Sequence, residues 1–325
     1  MQRAVTSDIL TVVMFITMLA PSLSHGQGPA RLPPPAHAAT AAPRSLAPDA
    51  VEQPYFDLDA YLDQRRYPAP HSNGWYWQWM PNDLIYKSYL AGVKEPRMAG
   101  KVVYARHDGW LWENTLGGRV GLLRFGDSDP QFPQGFQIDA EGAAEVRLDI
   151  TRDVDVRSVD FRGGIPITYG FGRQQVKLAY YHMSAHLGDE FLLKNPGYPR
   201  LNWSRDAFVL GYSVYPTDAL RLYAETAWAF QSEISEPWEF QLGLDWAPTM
   251  PTGFHGAPFF AINAHVREAL DYSGNFTVET GWAWMSDRDR HLLRIGMQYY
   301  NGKSPQNAFY NNFESLLGFG VWYDF

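Results

Sequence analysis

The sequence predicts an all-β protein, an antiparallel up-and-down transmembrane β-barrel of about 12 strands. Two observations predict this fold class. From about Tyr86 to the last residue, one segment after another alternates apolar and polar side chains, which is the two-residue period of a β-strand. Trp, Tyr and Phe make up 15% of the chain, yet the mean hydropathy is only -0.32. Strands that turn apolar groups toward lipid and polar groups toward a lumen account for both values.

The clearest alternating segments show how the strands are expected to face. Residues 136–150 alternate without interruption. Further along, Trp238 and Trp246 close the two ends of an apolar stripe, which is the layout of a lipid-facing band between two aromatic girdles. At roughly 20 residues for each strand and its connection, residues 86–325 provide about 12 strands. Single-chain barrels favour an even number of strands, and the pattern gives one strand too many. We expect the extra apparent strand to lie within residues 86–114.

The chain ends on an alternating, aromatic strand. Its apolar residues occupy every second position: Leu317, Phe319, Val321, Tyr323 and Phe325. This ending resembles the closing strand of bacterial outer-membrane barrels, where a terminal Phe is bound by the barrel-assembly machinery through strand addition. The expected location is therefore the bacterial outer membrane. The expected partners are outer-membrane lipid and the assembly machinery.

The region before the barrel is expected to have three parts. Residues 1–24 indicate a secretory signal peptide, because a short apolar run follows Arg3 and precedes small residues. Residues 25–54 are rich in Pro and Ala, which predicts an extended linker. Residues 55–85 form an aromatic-rich segment that we expect in the periplasm. Residues 86–325 form the barrel.

Composition excludes several classes of function. The chain has no cysteine, so disulfides cannot stabilise an exported form. A net charge of -8 argues against a nucleic-acid partner, which needs a basic surface. The sequence has no Gly-rich phosphate loop before a helix, no HExxH and no cluster with zinc spacing. We therefore expect no nucleotide, no metal and no cofactor from these motifs.

Charges of both signs fall on the positions predicted to face the lumen. They are Asp139, Glu141, Glu145, Arg147, Asp160, Arg162, Lys177, Arg221, Glu225, Asp245, His265, Arg267, Glu279 and Arg294. The favoured interpretation is a set of ion pairs that fills a narrow interior, and the alternative is a selective polar pathway. The function expected from this pattern is structural, or passage of small solutes through a charge-lined lumen.

One motif suggests chemistry. His182 and Ser184 share the parity of Leu178 and Tyr180, so they are predicted on the lipid-facing side, where an imidazole can serve as base to a serine hydroxyl. The pair resembles the catalytic pair of two barrel hydrolase families, outer-membrane phospholipase A and the lipid A deacylases. Those enzymes place it where an ester in the outer leaflet can reach it. They usually follow the serine with Asn, whereas this chain has Ala185.

Three interpretations of residues 182–190 (HMSAHLGDE) remain open at this point. The supporting or cation-binding candidates are His186, Asp189, Glu190, Asn202 and Asp206. In the hydrolase interpretation Asp189, Glu190 or Asn202 orients the imidazole, and calcium is a cofactor only in this case. In the second interpretation the acidic residues and His186 bind a cation. In the third, the polar groups form hydrogen-bonded structure that closes the barrel mouth.

Several longer blocks resemble a bacterial family catalogued as the domain of unknown function 1207. The blocks are residues 84–98 (LIYKSYLAGVKEPRM), 116–125 (LGGRVGLLRF), 180–193 (YYHMSAHLGDEFLL), 236–240, 298–304 (QYYNGKS) and the terminal FGVWYDF. They occur in the right order, and the resemblance covers residues 81–325. It implies an outer-membrane-type barrel and supplies no reaction.

Overall fold

The computed structural model describes residues 74–286 and 290–325. The predicted signal peptide, the predicted linker and the predicted periplasmic segment as far as residue 73 lie outside the described residues. Among the described residues, no helix has both the length and the apolar character needed to cross a membrane.

The described chain consists almost entirely of antiparallel strands. In chain order they are β1 (Tyr76–Trp79), β2 (Met98–Ala105), β3 (Gly109–Gly126), β4 (Gly135–Asp149), β5 (Asp155–Phe171), β6 (Gln174–Leu187), β7 (Trp203–Val214), β8 (Leu220–Ser232), β9 (Trp238–Trp246), β10 (Ala257–Arg267), β11 (Ser273–Met285), β12 (Leu292–Lys303) and β13 (Phe313–Asp324). One short α-helix, α1 (Asp189–Lys194), lies between β6 and β7, and two 3-10 helices of one turn each cover Glu268–Leu270 and Asn307–Phe309.

The strands close into a ring. Each of β2 to β13 pairs with the next along the chain, and β13 pairs back onto β2 from Leu316 opposite Ala105 to Tyr323 opposite Met98. The sheet has 13 strands, of which β1 pairs with the second half of β3 outside this ring, so the closed barrel has 12. The predicted fold class is confirmed. We call the end of the barrel that carries β1 and Phe325 the proximal end, and the opposite end the distal end.

The two faces of the barrel wall differ in polarity, as the alternation predicts. Leu178, Leu210 and Leu242 face outward and are 52%, 53% and 54% exposed. Arg124 and Arg294 face inward and are 0% exposed. Exposed leucines in the middle of long strands would be costly in water, whereas they match the hydrocarbon of a bilayer. The barrel is therefore a transmembrane barrel, with its charges in the lumen.

The first barrel strand begins at Met98, so the residues that directly follow Tyr86 precede the strands of the ring. Residues 84–97, which we call the luminal segment, form no strand. Ile85 and Tyr89 in this segment are 0% exposed, and the segment contacts inward-facing side chains of the strands. Gly92 and Pro96 interrupt the strand pattern and were the signal against a strand here.

Side-chain contacts hold the luminal segment inside the barrel. The Lys94 ammonium forms ion pairs with Glu145 and with Asp160, the latter at 2.6 Å. The Tyr89 hydroxyl donates to Glu225 at 2.8 Å, and its ring stacks on that of Tyr223 with the centroids 3.8 Å apart. These partners come from β4, β5 and β8, so the segment is fixed from several sides of the lumen.

Arg97 ties the luminal segment to the last strand. Its guanidinium donates to the carbonyl oxygens of Leu90 and Tyr89 at 2.7 and 2.5 Å and lies 3.1 Å from the Asp324 carboxylate. Removing one partner of a buried ion pair leaves the other group short of its partners. We expect Arg97→Met to lower the free energy of unfolding by about 3–5 kcal/mol. Urea unfolding of the protein folded in lipid vesicles measures this loss.

Arg152→Met is the matched control for that substitution. Arg152 is an exposed arginine that lies 3.7 Å from Asp149, so its removal should change stability by less than about 1 kcal/mol. A similar loss in both variants would contradict the buried position of the luminal segment.

Candidate functional site

His182 and Ser184 lie on the outward face of β6, close to its distal end. Tyr180, His182 and Ser184 alternate with Tyr181 and Met183, which point inward and are buried. β6 runs from Gln174 at the proximal end to Leu187 at the distal end. The pair therefore faces the surroundings of the barrel, near the level where the distal loops begin.

Asp206 orients the imidazole. The β6–β7 register places Asp206 directly opposite His182, and Nδ1 of His182 lies 3.0 Å from Oδ1 of Asp206. The Tyr180 hydroxyl donates to the same oxygen at 2.7 Å. A carboxylate only accepts hydrogen bonds, so Nδ1 of His182 carries the proton, and the lone pair of a neutral imidazole is then on Nε2.

Ser184 lies two residues beyond His182 on the same face. Residues at this spacing on a strand project in parallel, with their Cα atoms about 7 Å apart. In the described structure the Ser184 hydroxyl makes no hydrogen bond to His182. Catalytic hydrogen bonds often close only in the complex with substrate, so the arrangement provides an oriented imidazole with a hydroxyl on the adjacent outward position.

A β-bulge lies beside Asp206. Asp206 pairs with Gln231 of β8, whereas the next residue, Ala207, pairs with Ala229. Phe230 is therefore the extra residue in β8. Bulges are enriched next to active sites, where they change the direction of a side chain. The Phe230 ring lies 4.9 Å from Phe208, measured between centroids, which gives the site an aromatic neighbour on its membrane side.

The outer surface on the other side of His182 is open. Gly163 of β5 pairs with His182, and a Cβ at Gly163 would meet no heavy atom within 4 Å. The next strand continues this gap, because Gly142 pairs with Gly163 and a Cβ there would meet only the Arg162 carbonyl oxygen, at 3.6 Å. We call this gap, which Gly142 and Gly163 form, the glycine notch. It gives space at the wall directly beside the imidazole.

Exposed apolar side chains border the glycine notch along β5. Phe161 and Ile165 are outward-facing and about half exposed, at 48% and 54%. Phe161 is also the register partner of Ser184. The notch therefore has an apolar border next to the serine.

The structure does not bring the other suggested residues to His182. Asp189 and Glu190 lie in the first turn of α1, and the Asn202 amide donates to Glu233 at 3.1 Å. The orienting contact that the sequence assigned to Asp189, Glu190 or Asn202 is made by Asp206. Sequence reasoning missed it because the strand register, which alone brings Asp206 opposite His182, cannot be read from one chain.

The proposed cation ligands are also separated. His186 faces outward, with its ring 6.0 Å from that of Phe161, and Asp206 is engaged by His182. Over residues 74–286 and 290–325, no three His, Asp or Glu side chains form a group that could hold a metal ion.

The predicted lumen charges all lie inside the barrel, where many of them form ion pairs. Arg294 contacts Glu279 at 2.6 Å, and Lys177 contacts Glu225 at 2.6 Å. Cavities of about 40 and 100 Å³ flank the luminal segment. A water molecule occupies about 30 Å³ of liquid volume, so the smaller cavity holds about one water and the larger about three.

The predicted closing strand is β13, the last strand of the ring. Leu317, Phe319 and Val321 of β13 face outward and are exposed. β13 lies between β12 and β2 in the ring.

These features define a closed, 12-stranded antiparallel transmembrane barrel with a filled lumen and a polar site on its outer face. The chain belongs to the family described as "Protein of unknown function (DUF1207)", whose model matches residues 80–325. No curated protein matches the chain.

A comparison with solved structures finds outer-membrane proteins of low sequence identity to this chain. The KdgM porin is 11% identical, with a TM-score of 0.39 over 70% of this chain and 98% of the porin. Outer membrane phospholipase A from Escherichia coli is 11% identical, with a TM-score of 0.45 over 71% of this chain and 95% of that protein. The outer membrane phospholipase dimer of Salmonella typhi with bound calcium is 12% identical, with a TM-score of 0.46 over 70% and 90%.

Proposed function

We propose that the protein is an outer-membrane hydrolase that cleaves an ester bond of a membrane lipid. Ser184 is the nucleophile, His182 the general base and Asp206 the residue that orients the imidazole. The observation that carries this proposal is the 3.0 Å contact between His182 Nδ1 and Asp206 Oδ1 on the outward face, with Ser184 two residues along the same strand. A nucleophile, a base and an orienting acid are the groups that acyl transfer requires.

The faces and ends of the barrel support a location and an orientation. The apolar exterior and the aromatic closing strand support the bacterial outer membrane. The proximal end, which carries β1, then faces the periplasm. The distal end and the His182 site face the outer leaflet, where the ester bonds of lipids lie near the membrane surface.

The reaction uses only groups of the chain and water. His182 Nε2 accepts the Ser184 Oγ proton while Oγ bonds to the carbonyl carbon of the ester. The bond to the alcohol oxygen then breaks, and the imidazolium returns the proton to that oxygen. Water next gives a proton to Nε2 and its hydroxyl to the acyl carbon. The bond between the acyl carbon and Oγ then breaks and the imidazolium returns its proton to Oγ, which releases the fatty acid and restores Ser184 and neutral His182. Asp206 stabilises the imidazolium formed in both halves.

The glycine notch provides a place for the substrate. A lipid that lies against the barrel wall can bring its carbonyl beside His182 only where side chains leave room. Gly163 leaves that room, and Phe161 and Ile165 offer apolar contact to an acyl chain.

Lipid turnover tests the proposal directly. Purified protein is placed in liposomes of bacterial lipids, with and without calcium, and mass spectrometry follows lyso-lipid and free fatty acid. We expect product with the wild type, and a loss of at least about 1,000-fold in Ser184→Ala and His182→Ala, as for members of a catalytic triad. Asp206→Asn should retain the fold and lose most of the activity.

Two further variants make this test specific. Ser204→Ala removes the serine that pairs with Ser184 across the strands, and it should leave turnover unchanged. Gly163→Leu places a side chain in the notch where its Cβ would meet no heavy atom within 4 Å, and it should block turnover in a barrel that still resists SDS until heated. Absence of product with the wild type, or full turnover in Ser184→Ala, would contradict the hydrolase.

Passage of small solutes is the second candidate function. The favouring observation is that the luminal segment is held by side chains rather than by a strand ladder, so its release leaves the sheet intact. Structural support of the envelope is the role left if neither turnover nor passage occurs.

Conductance across a planar bilayer tests passage. We expect a closed wild type, and open events in Lys94→Met, because Glu145 and Asp160 then lose the ammonium that holds the segment. Lys194→Met, a change on the exposed side of α1, is the matched control and should stay closed. A Lys94→Met barrel as closed as the wild type would contradict passage.

A further inference from the structure

A cavity of about 100 Å³ lies at the proximal end of the lumen, far from the His182 site. It is bordered by the first residues of β8, the last residues of β9 and β13, and the luminal segment. Arg221 and Lys87 line it together with Tyr215. Arg290 lines it as well, so three cationic side chains meet in one small space.

One edge of the Arg221 guanidinium lacks hydrogen-bond partners. It is 3% exposed, and its Nη1 donates to the Ser88 carbonyl oxygen at 3.3 Å and lies 3.7 Å from Asp245. Its Nε and Nη2 have no hydrogen-bond partner. Tyr86 and Tyr89 lie against the guanidinium at 4.8 and 5.0 Å, and these rings attract the charge but supply no acceptor atom to Nε or Nη2.

Other lumen arginines use this same edge to hold an oxyanion. Arg119 directs Nε and Nη2 at Asp139. Arg147 does so with Glu113, at 3.0 and 2.5 Å. Arg162 repeats the arrangement with Glu141, at 3.0 and 2.8 Å. The Nε and Nη2 edge of an arginine matches a carboxylate or a phosphate, and at Arg221 the chain supplies none.

Lys87 adds a second positive charge, and this one has no ion-pair partner in the described part of the chain. Its side chain lines the cavity and forms no ion pair with the described residues. Two acidic groups at the cavity are engaged elsewhere, since Asp324 contacts Arg294 at 2.7 Å and Asp218 contacts Arg173. The third, Asp245, accepts the Leu90 backbone N–H at 3.2 Å and reaches only Nη1 of Arg221.

We propose that this cavity is a binding site for one small oxyanion, a phosphate or carboxylate group held by the free edge of Arg221 and the ammonium of Lys87. The volume is that of about three waters, which suits inorganic phosphate or a single headgroup phosphate. Apolar walls from Phe132 and Leu292 strengthen the attraction by excluding water. The site does not depend on the hydrolase proposal, since no residue is shared.

Calorimetric titration of the folded protein with inorganic phosphate, in non-ionic detergent, tests the site. We expect saturable binding of one phosphate per chain in the wild type. Arg221→Lys keeps the charge but loses the paired donors, and it should weaken binding at least about tenfold. Lys87→Gln should weaken it as well, and this side chain has no ion pair whose loss would unfold the barrel.

Arg173→Gln is the matched control, because Arg173 is an exposed arginine at the same end, paired with Asp218. It should bind phosphate as the wild type does. A second titration uses a short-chain phosphatidic acid: competition with phosphate identifies a lipid headgroup as the ligand, and its absence identifies the free anion. No saturable phosphate binding in the wild type, or equal affinity in Lys87→Gln and the wild type, overturns the site.

Discussion

The pairing of β13 with β2 is the constraint on which the rest of the structure depends. It closes the ring, so each strand from β2 to β13 has a neighbour on both sides, and the backbone groups of the paired stretches are satisfied within the wall. Once the ring is closed, each strand has one face toward the surroundings and one toward the lumen. Apolar side chains then cover the outside, and the charged side chains must find partners inside. The candidate site is on the outer face for the same reason: His182 has the parity of Leu178, not that of Lys177.

Buried charge decides what fills the lumen. Arginines and carboxylates on neighbouring strands pair with one another, and the luminal segment supplies the remaining partners through Lys94 and Arg97. An unpaired charge in such an interior is costly. This is why the free edge of Arg221 stands out against Arg119, Arg147 and Arg162, and why an oxyanion is the group that completes it. The filled lumen also leaves the outer wall as the surface where chemistry with lipid is accessible.

The sequence predicts everything that follows from a two-residue period and little that depends on register. Alternation alone identifies the strands, the outward position of His182 and Ser184, and the inward position of charges such as Arg294. It cannot place Asp206 opposite His182 or reveal the bulge at Phe230, because both depend on how β7 meets its neighbours. The sequence pattern places the luminal segment in the barrel because its short apolar stretch resembles a strand, although Gly92 and Pro96 argue against one. The free edge of Arg221 depends on which carboxylates lie within reach, and a single chain does not specify that.

Contact of the outward leucines with lipid is the central claim, and spin labelling measures it directly. The chain has no cysteine, so a nitroxide attached to Leu178→Cys, Leu210→Cys or Leu242→Cys reports one position. Oxygen concentrates in hydrocarbon, so in liposomes we predict that it collides with these labels more often than a water-soluble nickel complex does. At Arg152→Cys, which lies in a turn, we predict more frequent collisions with the nickel complex than with oxygen. More frequent collisions with the nickel complex at all three leucine positions would contradict a membrane-spanning barrel with its site on the lipid side.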